Sequence, residues 1–277
     1  MARQSISLTA RELRSLVRRG EFTAPTTGVA PGYVQANLVI LPQAVAHDFE
    51  EFCLWNPRPC PLIEVTAPGS FNPGKTAPGA DLRTDLPLYR VYRRGELIDR
   101  PKNLLAYWPL IEVPPNDTLP LSGFPVCFLI GCSFTFETAM LAAELPVRHI
   151  EEGRNVPMYR TNIECASAGL FHGPMVVSMR PMTSQQAEQA ARVTARFPDS
   201  HGPPVHIGDP RAIGIPDLTR PDYGDAVTMR PGEIAVFWAC GVTPMEAIIR
   251  AKPDWAVTHD PGHMFVTDLT TPDVPPV

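Results

Sequence analysis

Two periods organise the apolar positions of this chain. Residues 9–19 follow a helical period: Leu13, Leu16 and Val17 share a face, Thr9 and Glu12 match a capping box, and Gly20 supplies the stop. A second helix is predicted over 43–55, with Val45, Phe49, Phe52 and Cys53 inward and Asn56-Pro57 ending it. Residues 38–41 and "CPLIEV" read as extended runs, and "LYRVYRRGELI" alternates about a turn at Arg94-Gly95. Most of 67–125 reads as loop. "MVVSMRP", a helix opened by Thr183 and Gln186, and "PVHIG" make a strand–helix–strand unit over 173–208, and "WAVTH" and "HMFVTDL" give two closing strands.

One pattern occurs twice. "FLIGCSFTFETAM" (128–140) and "FWACGVTPMEAII" (237–249) each run strand, cysteine, tight turn, helix. An offset of 108 (240 − 132) superposes Cys132 on Cys240, Thr135 on Thr243 and Ala139 on Ala247. Such a match marks a site or an old duplication. Thr243 reads as an N-cap, with Pro244 at the first helical position and Glu246 completing a capping box.

Continuous apolar strands feeding helices predict an α/β fold with a largely parallel sheet in a three-layer sandwich. A smaller, two-layer α+β domain is expected as an insert over 151–225, with 1–150 and 226–277 forming the α/β domain and both cysteine units inside it.

Composition narrows the function classes. The chain has 277 residues, 44% of them hydrophobic and 19% charged, which fits a folded chain of one large or two modest domains. Its net charge of −5 and lack of basic runs argue against nucleic acid. The 33 prolines predict long ordered loops. No signal core and no membrane-spanning run is present, so the six cysteines read as reduced thiols and the expected location is cytoplasmic. Neither GxGxxG nor GxSxG occurs, and no nucleotide or other cofactor is expected. A homodimer is the base-rate expectation.

In an open α/β sheet, ligands bind where strands end and helices begin. Cys132 and Cys240 lie there, beside Ser133, Thr135, Gly241 and Thr243, and helix N-termini could lower the thiol pKa and seat an anion at 241–243. Buried filler is the competing reading for both thiols. His259 and His263 in "THDPGHMFVTD" are acid–base candidates; Pro261-Gly262 prevent the helix that a His-x-x-x-His metal site needs, so no metal is assigned. His206 and Asp209 in "HGPPVHIGDP" could form an oriented pair. Arg83, and Arg160 with Thr161 and Asn162, offer forks for carboxylates.

Over residues 9–269, "PGYVQANLVILP", "NPRPCPLIEVTAPGS", "ADLRTDLPLYRVYRRGEL", "FLIGCSFTFETAM", "NVPMYRTNIEC", "MVVSMRP", "HGPPVHIGDP", "ACGVTPMEAI" and "PGHMFVTDL" make the chain similar to a bacterial family provisionally named hydro-lyases. That family is related to the D-glutamate cyclase of mitochondria. The resemblance implies loss of water from D-glutamate to give 5-oxo-D-proline, and an α/β sandwich paired with a smaller α+β domain. It also implies a small residue where this chain has Asp260. The roles expected from chemistry are Arg83 and Arg160 on the substrate carboxylates, the 241–243 turn on the oxyanion, a histidine as proton carrier and the two thiols about the reacting carbon. Two alternatives stand: a cofactor-independent, two-thiol amino-acid racemase, and a carboxylate-binding protein without catalysis.

Overall fold

The computed structural model describes residues 8–108 and 123–271. The remainder of the long predicted loop, 109–122, lies outside them. Thr9 and Glu12 close the predicted capping box on α1 (Ala10–Arg18). β1 (Tyr33–Pro42) runs straight into α2 (Gln43–Trp55), and β2 (Leu62–Val65) follows the Pro-rich turn. β3 (Tyr89–Arg93) and β4 (Glu96–Asp99) form the predicted hairpin, with Arg94 and Gly95 at φ 47° and 81°, values that a two-residue turn between twisted strands requires. Then come β5 (Pro125–Gly131), α3 (Phe134–Ala142), α4 (Arg148–Glu152) and β6 (Met158–Glu164). β7 (Pro174–Met182), α5 (Ser184–Thr194) under a Thr183–Gln186 capping box, and β8 (His206–Ile207) make the predicted strand–helix–strand unit. β9 (Ile234–Ala239), α6 (Thr243–Ala251), β10 (Ala256–His259) and β11 (Phe265–Thr270) complete the order.

Every strand pairing among the described residues is antiparallel, which corrects the expected parallel three-layer sandwich. The first sheet has the order β2-β5-β1-β10-β3-β4, with β11 also on β1; the second has β6-β7-β9-β8. The crossovers were legible, but their occupants were not. β1–α2–β2 and β7–α5–β8 each carry the chain over to a strand running the same way as the first, yet a later strand fills the gap between them, β5 in one case and β9 in the other. Each is a split β-α-β unit.

β5 and β9 are continuously apolar because both faces are covered, which is the condition normally met by parallel sheets. On one face of the first sheet, Val39, Leu41, Val126, Phe128 and Ile130 pack with Phe49 and Phe52 of α2. On the other, Leu38, Ile40, Cys127 and Leu129 pack with Ala77, Leu82, Leu86, Leu104 and Trp108, so loop takes the place of a helical layer. In the second sheet, Val236 and Trp238 face α3 and α5, while Ala235 and Phe237 face Ile213 and Ile215.

The chain also exchanges elements between the sheets. After β5 it leaves the first sheet: α3 packs with α5, and β6 pairs with β7. After β9 it returns: Met245, Ala247 and Ile248 of α6 join the core of α2, and β10 pairs with β1. The two cysteine units therefore start in different sheets, β9 pairing with β7 and β8 rather than beside β5.

Candidate functional site

Each cysteine stands where the chain crosses from one sheet to the other. The register Ala36↔Gly131 puts Cys132 across from Gln35, and Val177↔Ala239 puts Cys240 across from Val176. The two matched threonines then make the same contacts. Thr135 Oγ1 accepts from Gln35 N (3.0 Å) and lies 3.4 Å from Gln35 O. Thr243 Oγ1 accepts from Val176 N (2.9 Å) and lies 3.3 Å from Val176 O. Thr243 is thus not the expected N-cap. Val242 holds that position, the hydroxyl satisfies the neighbouring strand, and Glu246 turns to Arg160 instead of closing a capping box. Backbone N–H groups, of Val242 for Cys240 and of Phe134 for Cys132, favour the thiolate, but less than burial opposes it.

The space between the crossings is filled differently on its two sides. From β1, Asn37 donates to Gly131 O (2.7 Å) and packs so closely on Gly241 that a Cβ there would collide with its carboxamide. From β7, the buried Arg180 reaches the opposite crossing. Its Nε and Nη2 both donate to Glu137 Oε1, Nη2 also donates to Ser133 Oγ (3.0 Å), and Nη1 donates to Ser178 Oγ (3.1 Å). A guanidinium has five hydrogens, so one on Nη1 has no acceptor among the described residues. Phe136 and Trp238 lie 5.2 and 5.3 Å from the guanidinium carbon and exclude water. His149 Nε2 is 3.2 Å from Glu137 Oε1. Burial alone would raise the Glu137 carboxyl, but His149 and Arg180 outweigh it and hold it at about 2. A cleft of about 20 Å³, room for one water, reaches Glu137 between residues 28–35 and α3.

Burial decides the state of the thiols. It pushes Cys240 up to about 11 and Cys132 higher still, and a charge on Cys240 would raise Cys132 further. The expected lowering by helix N-termini is overridden, so both remain S–H at neutral pH. Each can donate a hydrogen; neither is a resting nucleophile.

The other predicted site residues make contacts of their own. Arg83 forks onto Asp81 (2.8 Å) beneath Phe71. Arg160 is bound by Glu246 (2.7 Å), Asp222 (2.6 Å) and the Tyr223 hydroxyl (3.0 Å), at the rim of a hollow of about 460 Å³ that Tyr159, Asp217 and Arg220 also line. Thr161 donates to Met175 O (2.7 Å) and Asn162 is exposed. His206 Nε2 meets the Asp209 carbonyl (2.8 Å), not its carboxylate, which instead accepts from Arg211 N; the oriented His–Asp pair is not formed. His259 is buried against Leu38 backbone, and burial pushes it down to about 4. His263 Nδ1 is 3.6 Å from Asp260, which Arg90 and Arg100 clamp. No cluster of three or more His, Cys, Asp or Glu fit to hold a metal exists among the described residues.

Arg180, Glu137, His149 and Asn37 were not among the sequence candidates. Arg180 had a signal: it is a charge inside the apolar run "MVVSMRP", and a buried charge demands a partner.

The sequence profile of the D-glutamate cyclase family matches residues 126–268, from the start of β5 into β11 and across both crossings. The chain belongs to that family. Curated bacterial relatives span nearly its whole length, each under a provisional hydro-lyase name. A protein from Stutzerimonas stutzeri is 55% identical over 257 residues, 93% of this chain and 92% of its own. One from Rubrobacter xylanophilus is 56% identical over 259 residues, 94% and 95% of the two chains. One from Geobacillus kaustophilus is 53% identical over 262 residues, 95% of each. No helix among the described residues of this cyclase-family chain is long and apolar enough to cross a membrane.

Proposed function

We propose that the protein is a carbon–oxygen lyase that closes D-glutamate to 5-oxo-D-proline with loss of water, between its two chain crossings. The observation that carries the reading is the buried Arg180, with one hydrogen uncommitted, near two thiols held as S–H donors. Ring closure requires a neutralised carboxylate, an amine free to attack it, and proton donors for the departing oxygen. Arg180 and Ser133 supply the first requirement, and Cys132 and Cys240 the third. The nitrogen sheds two protons and the leaving oxygen takes two, so the reaction needs no outside acid or base. Glu137 holds the guanidinium in place. Arg83, on Asp81, and Arg160, on Asp222 and Glu246, have no part in this assignment.

The two-thiol racemase remains the second reading because both thiols face the same centre. It needs one of them as a thiolate, which burial opposes. A proton NMR time course in D2O, with D-glutamate and separately with 5-oxo-D-proline, tests the choice. Growth of the ring spectrum from glutamate, or its loss from the ring compound, is expected. Loss of the α-proton signal alone would replace the cyclase with the racemase. Ligand-dependent stabilisation without any turnover would leave a carboxylate-binding protein.

A further inference from the structure

"HGPPVHIGDP" contains two histidines, and the fold treats them oppositely. His206 is partly exposed on β8, while His201 is buried, in a left-handed backbone at φ 79°. It follows the 3-10 turn Pro198–Ser200, which packs on α3 and on the end of β5, where a Cβ on Gly131 would collide with the Asp199 carbonyl. Gly131 immediately precedes Cys132, so this turn closes over the first crossing.

Arg58 fixes the His201 ring. Nδ1 lies 2.8 Å from the Arg58 carbonyl, which can only accept, so Nδ1 carries the hydrogen and Nε2 is a bare lone pair. Arg58 Nε donates back to His201 O (3.2 Å), so each residue holds the other. Nε2 is buried without a partner among the described residues, and the charge of Arg180 acts on the ring. A buried acceptor with no donor is costly, and folds retain one where a ligand or water completes it.

We propose that His201 Nε2 is the base that takes the proton from the substrate amine during ring closure, an assignment that rests on the cyclase reading above. The ammonium gives one proton to Nε2, the freed amine bonds to the γ-carboxyl carbon, and a C–O bond breaks. The oxygen leaves as water with one hydrogen from each thiol, and the Nε2 proton and the second one shed by nitrogen restore both S–H groups, returning the ring to its starting state. Burial first, then the charges of Arg180 and Arg58, hold the ring down to about 4 in the free protein. D-glutamate brings two carboxylates beside those cations, which offsets them and lets the ring keep a proton.

His201→Asn isolates the role. Asparagine tolerates positive φ and retains an N–H for the Arg58 carbonyl, but has no Nε2. Ring formation followed by proton NMR should show kcat lower by about 10²–10⁴-fold, with KM and the melting temperature little changed. An active wild type with an equally active variant would overturn the assignment alone. No ring formation by the wild type would overturn the cyclase reading and this assignment with it. Should the variant melt early, wild-type protein with 15N-labelled histidine decides: the bare Nε2 signal of His201 must move on addition of 5-oxo-D-proline, and a stationary signal overturns the assignment.

Discussion

The first crossing holds a fully buried ion pair, Arg180 with Glu137, whereas the charge of the second, Glu246, turns to the half-exposed Arg160, although their frames match. Both have a buried cysteine after the strand and a threonine three residues on bonded to the strand opposite. At the positions that superpose, Ser133 and Glu137 of the first face Gly241 and Met245 of the second. Arg180 reaches into the first from the other half, whereas the neutral Asn37 closes the second against a glycine. The repeated frame determines where the chain crosses. The departure from the repeat determines where a buried cation sits, and that is where chemistry can be placed.

Removing the charge at the first crossing should have the largest effect. Glu137→Gln leaves Arg180 buried without its counterion, and breaking such a pair costs about 3–5 kcal/mol. Met245→Leu, at the matching position of the second crossing, conserves volume and should cost less than about 1.5 kcal/mol. Urea unfolding of both variants measures the contrast. Equal losses would mean that the charge is not what distinguishes the crossings.

Protonation tests the same contrast without mutation. His201, near the charged crossing, and His259, against β1, are both pushed down to about 4 by burial. Unfolding returns each to about 6.5, so between these values the unfolded chain binds more protons and stability rises with pH. Their contribution is complete above about pH 6.5 and is lost as pH falls towards 4, by about 3 kcal/mol for each histidine. Glu137, held at about 2, adds a loss only below its unfolded range, as pH falls from 4.5. Melting temperatures across pH 4–7 should therefore fall on the acid side. His201→Asn should flatten the slope, and an unchanged slope would show that the ring is not held neutral in the native state.

Local structure was legible because its causes are local. The caps on α1 and α5 and the hairpin at Arg94-Gly95 each follow from a few adjacent residues. The repeated cysteine unit was legible as a pattern, and the threonine contacts give that pattern physical content. Sheet direction was not legible: an apolar strand records that both its faces are covered, not whether a helix or the loop around Leu82 and Trp108 covers them. The candidate site was only half legible. Cys132 and Cys240 were visible through the repeat, but Arg180 is paired with Glu137 across 43 residues, and His201 acquires its bare nitrogen through Arg58, 143 residues away. Thr243 shows a local rule losing to tertiary contact: its sequence matches an N-cap, yet Val176 offers an N–H and a carbonyl that the hydroxyl satisfies together.

The smallest contrast is expected where the two sides should behave alike. Thr135→Val and Thr243→Val keep the side-chain shape and remove one hydroxyl each. Each leaves a buried backbone N–H, at Gln35 or Val176, without its acceptor, a loss of about 1–3 kcal/mol. If the crossings are one frame used twice, the two losses should agree within about 0.5 kcal/mol and add in the double variant to similar accuracy. Urea unfolding of the two single variants and the double checks both statements. A large inequality would mean that the threonines do different jobs and that the repeat extends only to the path of the chain. Equality beside the unequal pair Glu137 and Met245 would locate the asymmetry in the side chains that face the centre, and not in the frame that holds them.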